Sequence, residues 1–237
     1  MDNKNKNEEE QPNRTDVLKS NYESKLGTQE HWNEAYKQEI EQFKNNGNEL
    51  GDIWFGKDLQ KRLVNYIIKH FPNKNTKIFD IGFGNGVFLY KLAKNEYINL
   101  FGIDYSPDSI QFAKMILESK EKKHGKKHNI NLFCEDINTK NKIINEKFDV
   151  IHDKGSFDAY MMNKSNILEN YHNYIKSYSK NGTTFIITSC NNTKDELKSK
   201  FPLEKGFQYL DEIKNKTFVF GGQEGQSEVT QIYKICI

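Results

Sequence analysis

Cysteine is scarce: three in 237 residues, far apart and with no C-x-x-C pair. That excludes a disulfide frame and a cysteine-type zinc site. Cys134 and Cys190 stand inside or at the ends of apolar runs and are expected to be reduced core thiols of an intracellular protein. No apolar run reaches membrane-spanning length. No signal peptide opens the chain, which begins Met1-Asp2-Asn3-Lys4-Asn5-Lys6. Charge of one sign is lacking as well: 35 basic and 33 acidic residues leave a net +2. Such a balance provides no basic stripe for direct binding of nucleic acid. These absences together predict a cytoplasmic protein that engages neither membrane nor nucleic acid, and a monomer is expected.

The residues present are polar, with a mean hydropathy of −0.86, yet the apolar ones cluster in runs that can form a core. The length suits one α/β domain and is short for two. Residues 1–25 are charged, Asn-rich and nearly free of large apolar side chains. Such a segment cannot bury enough surface to offset its ordering entropy and is predicted to be a disordered tail. The domain is expected over 26–237.

Helical periodicity places Trp32, Tyr36, Ile40 and Phe43 on one face of a helix over 28–43. A second helix over 58–70 carries Leu59, Leu63, Val64, Ile67 and Ile68. Strands then alternate with helices. Strands are read at 77–81, 100–104, 130–134, 148–153 and 184–188; helices at 87–94, from Ser106-Pro107 onward, and around 166–179. Ser106 is a favoured N-cap and Pro107 a favoured first residue, with Ile110, Ala113 and Leu117 as the expected buried face. Strands at 207–210, 218–220 and 229–235 follow, the last two with no helix between them, which predicts an antiparallel hairpin at the sheet edge. This order implies an α/β, Rossmann-like, mostly parallel sheet with one antiparallel addition.

The strongest chemical signal is Asp80-Ile81-Gly82-Phe83-Gly84-Asn85-Gly86, a buried strand running through a glycine turn directly into a helix. Glycines let backbone approach a ligand with no Cβ in the way, and the helix start adds free N–H donors. Phosphate or carboxylate would suit it. Asp104 ends the second strand 18 residues after Gly86, where an acid can accept both ribose hydroxyls. Two details favour S-adenosylmethionine over NAD. The spacing is G-x-G-x-G rather than the form that suits a pyrophosphate, and Asp80 could meet an ammonium but would repel a pyrophosphate. Asp136 and Ile137 close the third strand, placed to hold and cover an adenine.

Asp153 follows the fourth strand and is expected to point at the methyl group and position a substrate amine. Lys154 reads as a surface charge and Phe157 chiefly as packing. Trp54-Phe55-Gly56 is an aromatic cluster that either lines a channel for a lysine side chain or plugs the core. Trp32 reads as helix packing.

Taken together, Gly27-Thr28-x-x-His31-Trp32, Trp54-Phe55-Gly56, the glycine loop, Gly102-Ile103-Asp104-Tyr105-Ser106-Pro107, Asp153-Lys154-Gly155-x-Phe157-Asp158 and Thr188-Ser189-Cys190-Asn191 resemble the elongation factor 1-alpha lysine methyltransferases of the seven-β-strand class. The likeness runs from about Leu26 onward and includes Phe218-x-Phe220-Gly221-Gly222; the Asn-rich stretches at 124–129 and 138–145 depart from it. The resemblance implies a class I methyltransferase fold of seven strands, S-adenosylmethionine as cofactor, and elongation factor 1-alpha as protein substrate. It implies cofactor contacts from Trp54, Asp80, Gly82, Gly84, Gly86, Asp104, Tyr105, Asp136, Ile137 and Asp153, and a substrate channel of Trp54, Phe55 and Phe157. A small-molecule methyltransferase on the same fold is the alternative.

Overall fold

A computed structural model describes residues 24–46, 50–139, 142–214, 217–220 and 223–237, with backbone only over 217–220 and 223–226. The tail predicted over 1–25 lies almost wholly outside the described residues.

Helices α1 (Gln29–Asn46) and α2 (Gly56–His70) precede the sheet. The alternating part runs β1 (Lys77–Ile81), α3 (Val87–Lys94), β2 (Asn99–Asp104), α4 (Pro107–His124), β3 (Ile130–Cys134), β4 (Phe148–Lys154), α5 (Ser156–Met162), α6 (Leu168–Tyr178), β5 (Ser179–Ser189) and α7 (Lys194–Lys200). It closes with β6 (Phe207–Ile213), β7 (Thr217–Phe220), β8 (Gln223–Gln226) and β9 (Val229–Ile235). The seven-stranded sheet is ordered β3-β2-β1-β4-β5-β9-β6. β1 to β5 are parallel; β9 runs antiparallel to both of its neighbours. The antiparallel strand therefore sits one place inside the edge. The hairpin expected between 218–220 and 229–235 at the sheet edge is not formed: β7 pairs with the short β8 in a separate two-stranded sheet, and β9 enters the main sheet between β5 and β6.

Near-continuous apolar runs are what a sheet covered on both faces requires. One face packs Phe79, Phe148, Tyr171, Tyr178, Phe185, Phe201 and Tyr233. The other packs Ile78, Val150 and Ile186 under α2 and α3 through Leu63, Ile67, Phe88 and Leu92. A third cluster joins α1 to α4 through Ile40, Phe112 and Ile116. Ser106 caps α4 by accepting the Ser109 amide at 3.3 Å. That helix buries Ser109, Phe112, Ala113 and Ile116, so Leu117 is only half-buried and the buried stripe is rotated from the expected one. α1 makes the difference, because it covers the Phe112 side.

Two expectations are corrected. Cys134 and Cys190 are exposed rather than core thiols, since each stands at the last residue of, or just beyond, its strand, where the apolar layer has ended. The short helices α5 and α7, absent from the sequence reading, follow β4 and β5. α7 opens on a full capping box between Thr193 and Glu196. No described helix is long and apolar enough to cross a membrane.

Candidate active site

Strand order reverses between β1 and β4, and a ligand crevice is expected outside the carboxyl ends of strands at such a point. A cavity of about 540 Å³ opens there. The glycine loop forms its floor. Gly82, Gly84 and Gly86 all have positive φ, so each position is one that L side chains rarely adopt. Space also dictates the choice at Gly84, where a Cβ would lie 3.0 Å from the Tyr36 hydroxyl. Asn85 secures the loop by donating to the Leu50 and Asp52 carbonyls, at 2.9 and 3.0 Å, and accepting the Val87 amide.

Asp104 faces the loop from the end of β2. Its carboxylate accepts the Gly84 amide at 3.1 Å and the Ser106 amide at 3.0 Å. Burial lifts its pKa to about 6 in spite of these donors. Asp80 lines the same cavity. Its Oδ1 lies 2.7 Å from His152 Nδ1 in a buried hydrogen bond, and the His152 ring stacks on Phe88 with centroids 4.0 Å apart. His152 thus fixes one carboxylate oxygen of Asp80, while its own Nε2 has no partner. Asp136 and Ile137 line the cavity, as does Tyr105. The Tyr160 hydroxyl holds this rim by donating to Asn138 Oδ1 at 3.1 Å.

The start of α1 roofs the cavity. Tyr105 donates to the Thr28 carbonyl at 3.1 Å, and the Gln29 amide donates back to the Tyr105 carbonyl. Trp32 meets Trp54 edge to face with ring centroids 5.2 Å apart. Both rings line the cavity, so Trp32 is more than helix packing; Trp54 remains 42% exposed at the mouth.

Three predicted site residues stand elsewhere. Asp153 is fully buried, accepting the Tyr171 hydroxyl at 2.8 Å and the Phe157 amide at 3.1 Å, and it does not line the cavity. Alternation along β4 sends its side chain to the sheet face under α6. Phe157 is buried against Tyr171 and Phe201 and is core, not channel. Phe55 packs over Gly155, where a Cβ would lie 3.2 Å from its ring. Its φ of 60° at the α2 N-terminus turns consecutive aromatics apart, Trp54 to the cavity and Phe55 away from it. Lys154 is the converse: expected at the surface, it lines the cavity and donates to the Trp54 carbonyl at 3.1 Å.

Burial raises the Asp153 carboxyl to about 7. The folded chain therefore takes up a proton between about pH 4 and 7, and stability is lost as pH rises through that window. Asp153→Asn keeps an acceptor without the charge. We expect it to be more stable than the parent at pH 8 by about 1–3 kcal/mol, the parent catching up toward pH 5. Cofactor affinity should be retained. Denaturant melts at both pH values check this; a less stable Asn variant at pH 8 would show that the carboxylate is stabilising.

A G-x-G-x-G loop, an acid at the end of β2 and an acidic, half-apolar rim together fit a nucleoside joined to an amino acid. Asp104 suits a ribose, Ile137 an adenine, and Asp80 an ammonium. Fold and site define a class I methyltransferase. A methyltransferase-domain family model matches residues 72–235. Human EEF1A lysine methyltransferase 2 is 40% identical over 89% of this chain and 87% of its own length. The Saccharomyces cerevisiae protein-lysine N-methyltransferase EFM4 is 32% identical over 85% of this chain and 91% of its own. The solved TehB-like methyltransferase of Corynebacterium glutamicum shares the fold at a TM-score of 0.56 and 18% identity, covering 86% of this chain and 97% of that one. The chain belongs to the EEF1A lysine methyltransferase 2 family of protein-lysine methyltransferases.

Proposed function

We propose that this protein transfers a methyl group from S-adenosylmethionine to a lysine amine of translation elongation factor 1-alpha. The observation that carries the reading is the cavity at the β1/β4 switch point, cradled by the glycine loop and walled by the touching rings of Trp32 and Trp54. When bound, the cofactor supplies an electrophilic methyl on sulfur, which passes to the amine lone pair and leaves S-adenosylhomocysteine. The chain's own residues bind, orient and exclude water. Asp104 takes the ribose hydroxyls, and Asp80, held by His152, takes the methionyl ammonium. The Tyr105–Thr28 hydrogen bond ties the chain entering α1 over the cavity. Holding donor and amine in line supplies several kcal/mol toward the barrier. Trp54 offers its ring face to the lysine side chain at the mouth. The same reading makes the enzyme a cytoplasmic monomer.

Label transfer from methyl-tritiated S-adenosylmethionine to recombinant elongation factor 1-alpha is the test, with mass spectrometry to locate the modified lysine. Label on one lysine is expected. An unlabelled factor beside labelled metabolites would move the substrate to a small molecule. For Trp54→Ala we expect kcat/KM for the protein substrate to fall about tenfold, in line with a desolvated cation–π contact. S-adenosylhomocysteine affinity, measured by calorimetry, should change far less. Equal loss of both would make Trp54 a cofactor wall and not a channel.

A further inference from the structure

At the end of β4 the chemistry is the reverse of what the D-K-G segment suggests. Asp153 is turned away and satisfied by Tyr171 and Phe157. Lys154 stands at the crevice instead, one residue past the Ile81–Asp153 pairing and so beside the first glycine of the loop. Its ammonium is anchored by the Trp54 carbonyl at 3.1 Å and lies 5.9 Å from the Phe55 ring centroid. It therefore joins the switch point to the aromatic mouth. The acidic groups acting on it are Asp80 from β1 and Asp153 from β4. Asp80 is already paired with His152, and Asp153 points to the other face. The loop before α2 presents a carbonyl and rings, and the turn into α5 presents Gly155 and Ser156. No carboxylate makes an ion pair with Lys154 among the described residues.

A lysine amine must lose its proton before it can attack, and a cation nearby favours the neutral form. Resting on the cofactor reading above, we propose that the Lys154 ammonium places a fixed positive charge at the point of methyl transfer, so that the target amine enters neutral and nucleophilic. Burial lowers Lys154 itself to about 8, with Asp80 and Asp153 opposing the shift, so the group is still largely charged at pH 7.

The charge must act on the donor too. S-adenosylmethionine and S-adenosylhomocysteine share their ammonium, carboxylate, ribose and adenine, and differ in the sulfonium methyl. Their affinity ratio therefore reads positive charge at sulfur and needs no protein substrate. By calorimetry, Lys154→Met should shift the ratio at least about threefold toward S-adenosylmethionine, as expected for a unit charge several ångströms away. Lys154→Arg should keep the parent ratio. Retained S-adenosylhomocysteine affinity shows that each variant is folded at the site; should Lys154→Met lose it, Lys154→Gln makes the same comparison. In single-turnover pH profiles on elongation factor 1-alpha, the apparent pKa of the amine should rise by about one unit in Lys154→Met and stay put in Lys154→Arg. An unchanged ratio, or a shifted ratio with an unmoved profile, overturns the proposal. A parent enzyme that leaves the factor unlabelled refutes the substrate reading alone, and the ratio then decides the role of Lys154.

Discussion

Gly82→Ala is expected to abolish cofactor binding. A Cβ built there lies 1.8 Å from Ser156 Oγ and 2.7 Å from Ser156 Cβ. Ser156 cannot simply rotate away at no cost, because its hydroxyl donates to the Ile81 carbonyl at 2.8 Å and the residue opens α5. The backbone at φ +63° adds roughly 1–2 kcal/mol of strain for an L side chain. Loop and helix must part, and the amides that face the ligand move with them. We expect S-adenosylmethionine affinity to fall more than about 100-fold and stability by about 2–4 kcal/mol. Gly56→Ala is the matched control. Its φ is +78°, but a Cβ there meets nothing within 4 Å, so only the backbone strain remains. Calorimetric titration and thermal melts of both variants separate crowding from strain. Parent-like binding by Gly82→Ala would remove the glycine loop from the cofactor site.

Asp104 carries the second large effect, and its direction with pH can be stated. The carboxylate has two backbone amides to satisfy and, in the proposed complex, two ribose hydroxyls. Asp104→Ala orphans the amides and removes the charged acceptor, so affinity should drop by about 100- to 1000-fold at one to two charge-assisted hydrogen bonds. In the free protein burial sets its pKa at about 6. Ribose hydroxyls donate, so binding favours the ionised form. Affinity should hold level above about pH 7 and weaken progressively below about pH 6, by up to tenfold per pH unit. Stability of the free chain runs the other way, since the folded state gains a proton between about pH 4 and 6 and loses that advantage as pH rises. A Kd for S-adenosylmethionine that stays flat from pH 5 to 8 would contradict a ribose contact by this carboxylate.

The parts of this site that were legible in the sequence are the local ones. The glycine loop, Asp104 and the Ser106 cap each rest on a few consecutive residues, and all stand where the pattern put them. What failed was the choice of face. Period-two alternation requires Asp153 and Lys154 to point apart, but says nothing of which side meets the crevice. The register supplies that: Asp80 pairs with His152, and Lys154 shares the His152 face. A histidine inside an apolar strand was the available clue. Trp54 and Phe55 were read as one cluster because a positive φ between adjacent aromatics leaves no mark in composition. The seven-residue helices α5 and α7 are too short for periodicity to distinguish from turns. Phe157, on the first of them, is the packing residue its own reading makes it and not the channel wall that the resemblance implies.

The position of β9 has a temporal side. This strand is made after β6, yet it is the element that joins β6 to the rest of the sheet. Until residues 229–235 are free to pair, β5 has one unpaired edge and β6 has no partner in the main sheet. Exposed strand edges of this kind recruit other chains. The nascent enzyme thus has a window in which its last parallel strand is open to intermolecular pairing, and the window shuts only when Val229–Ile235 emerges. Premature stops upstream of β9 should yield chaperone-bound or aggregated chains rather than weakened enzymes.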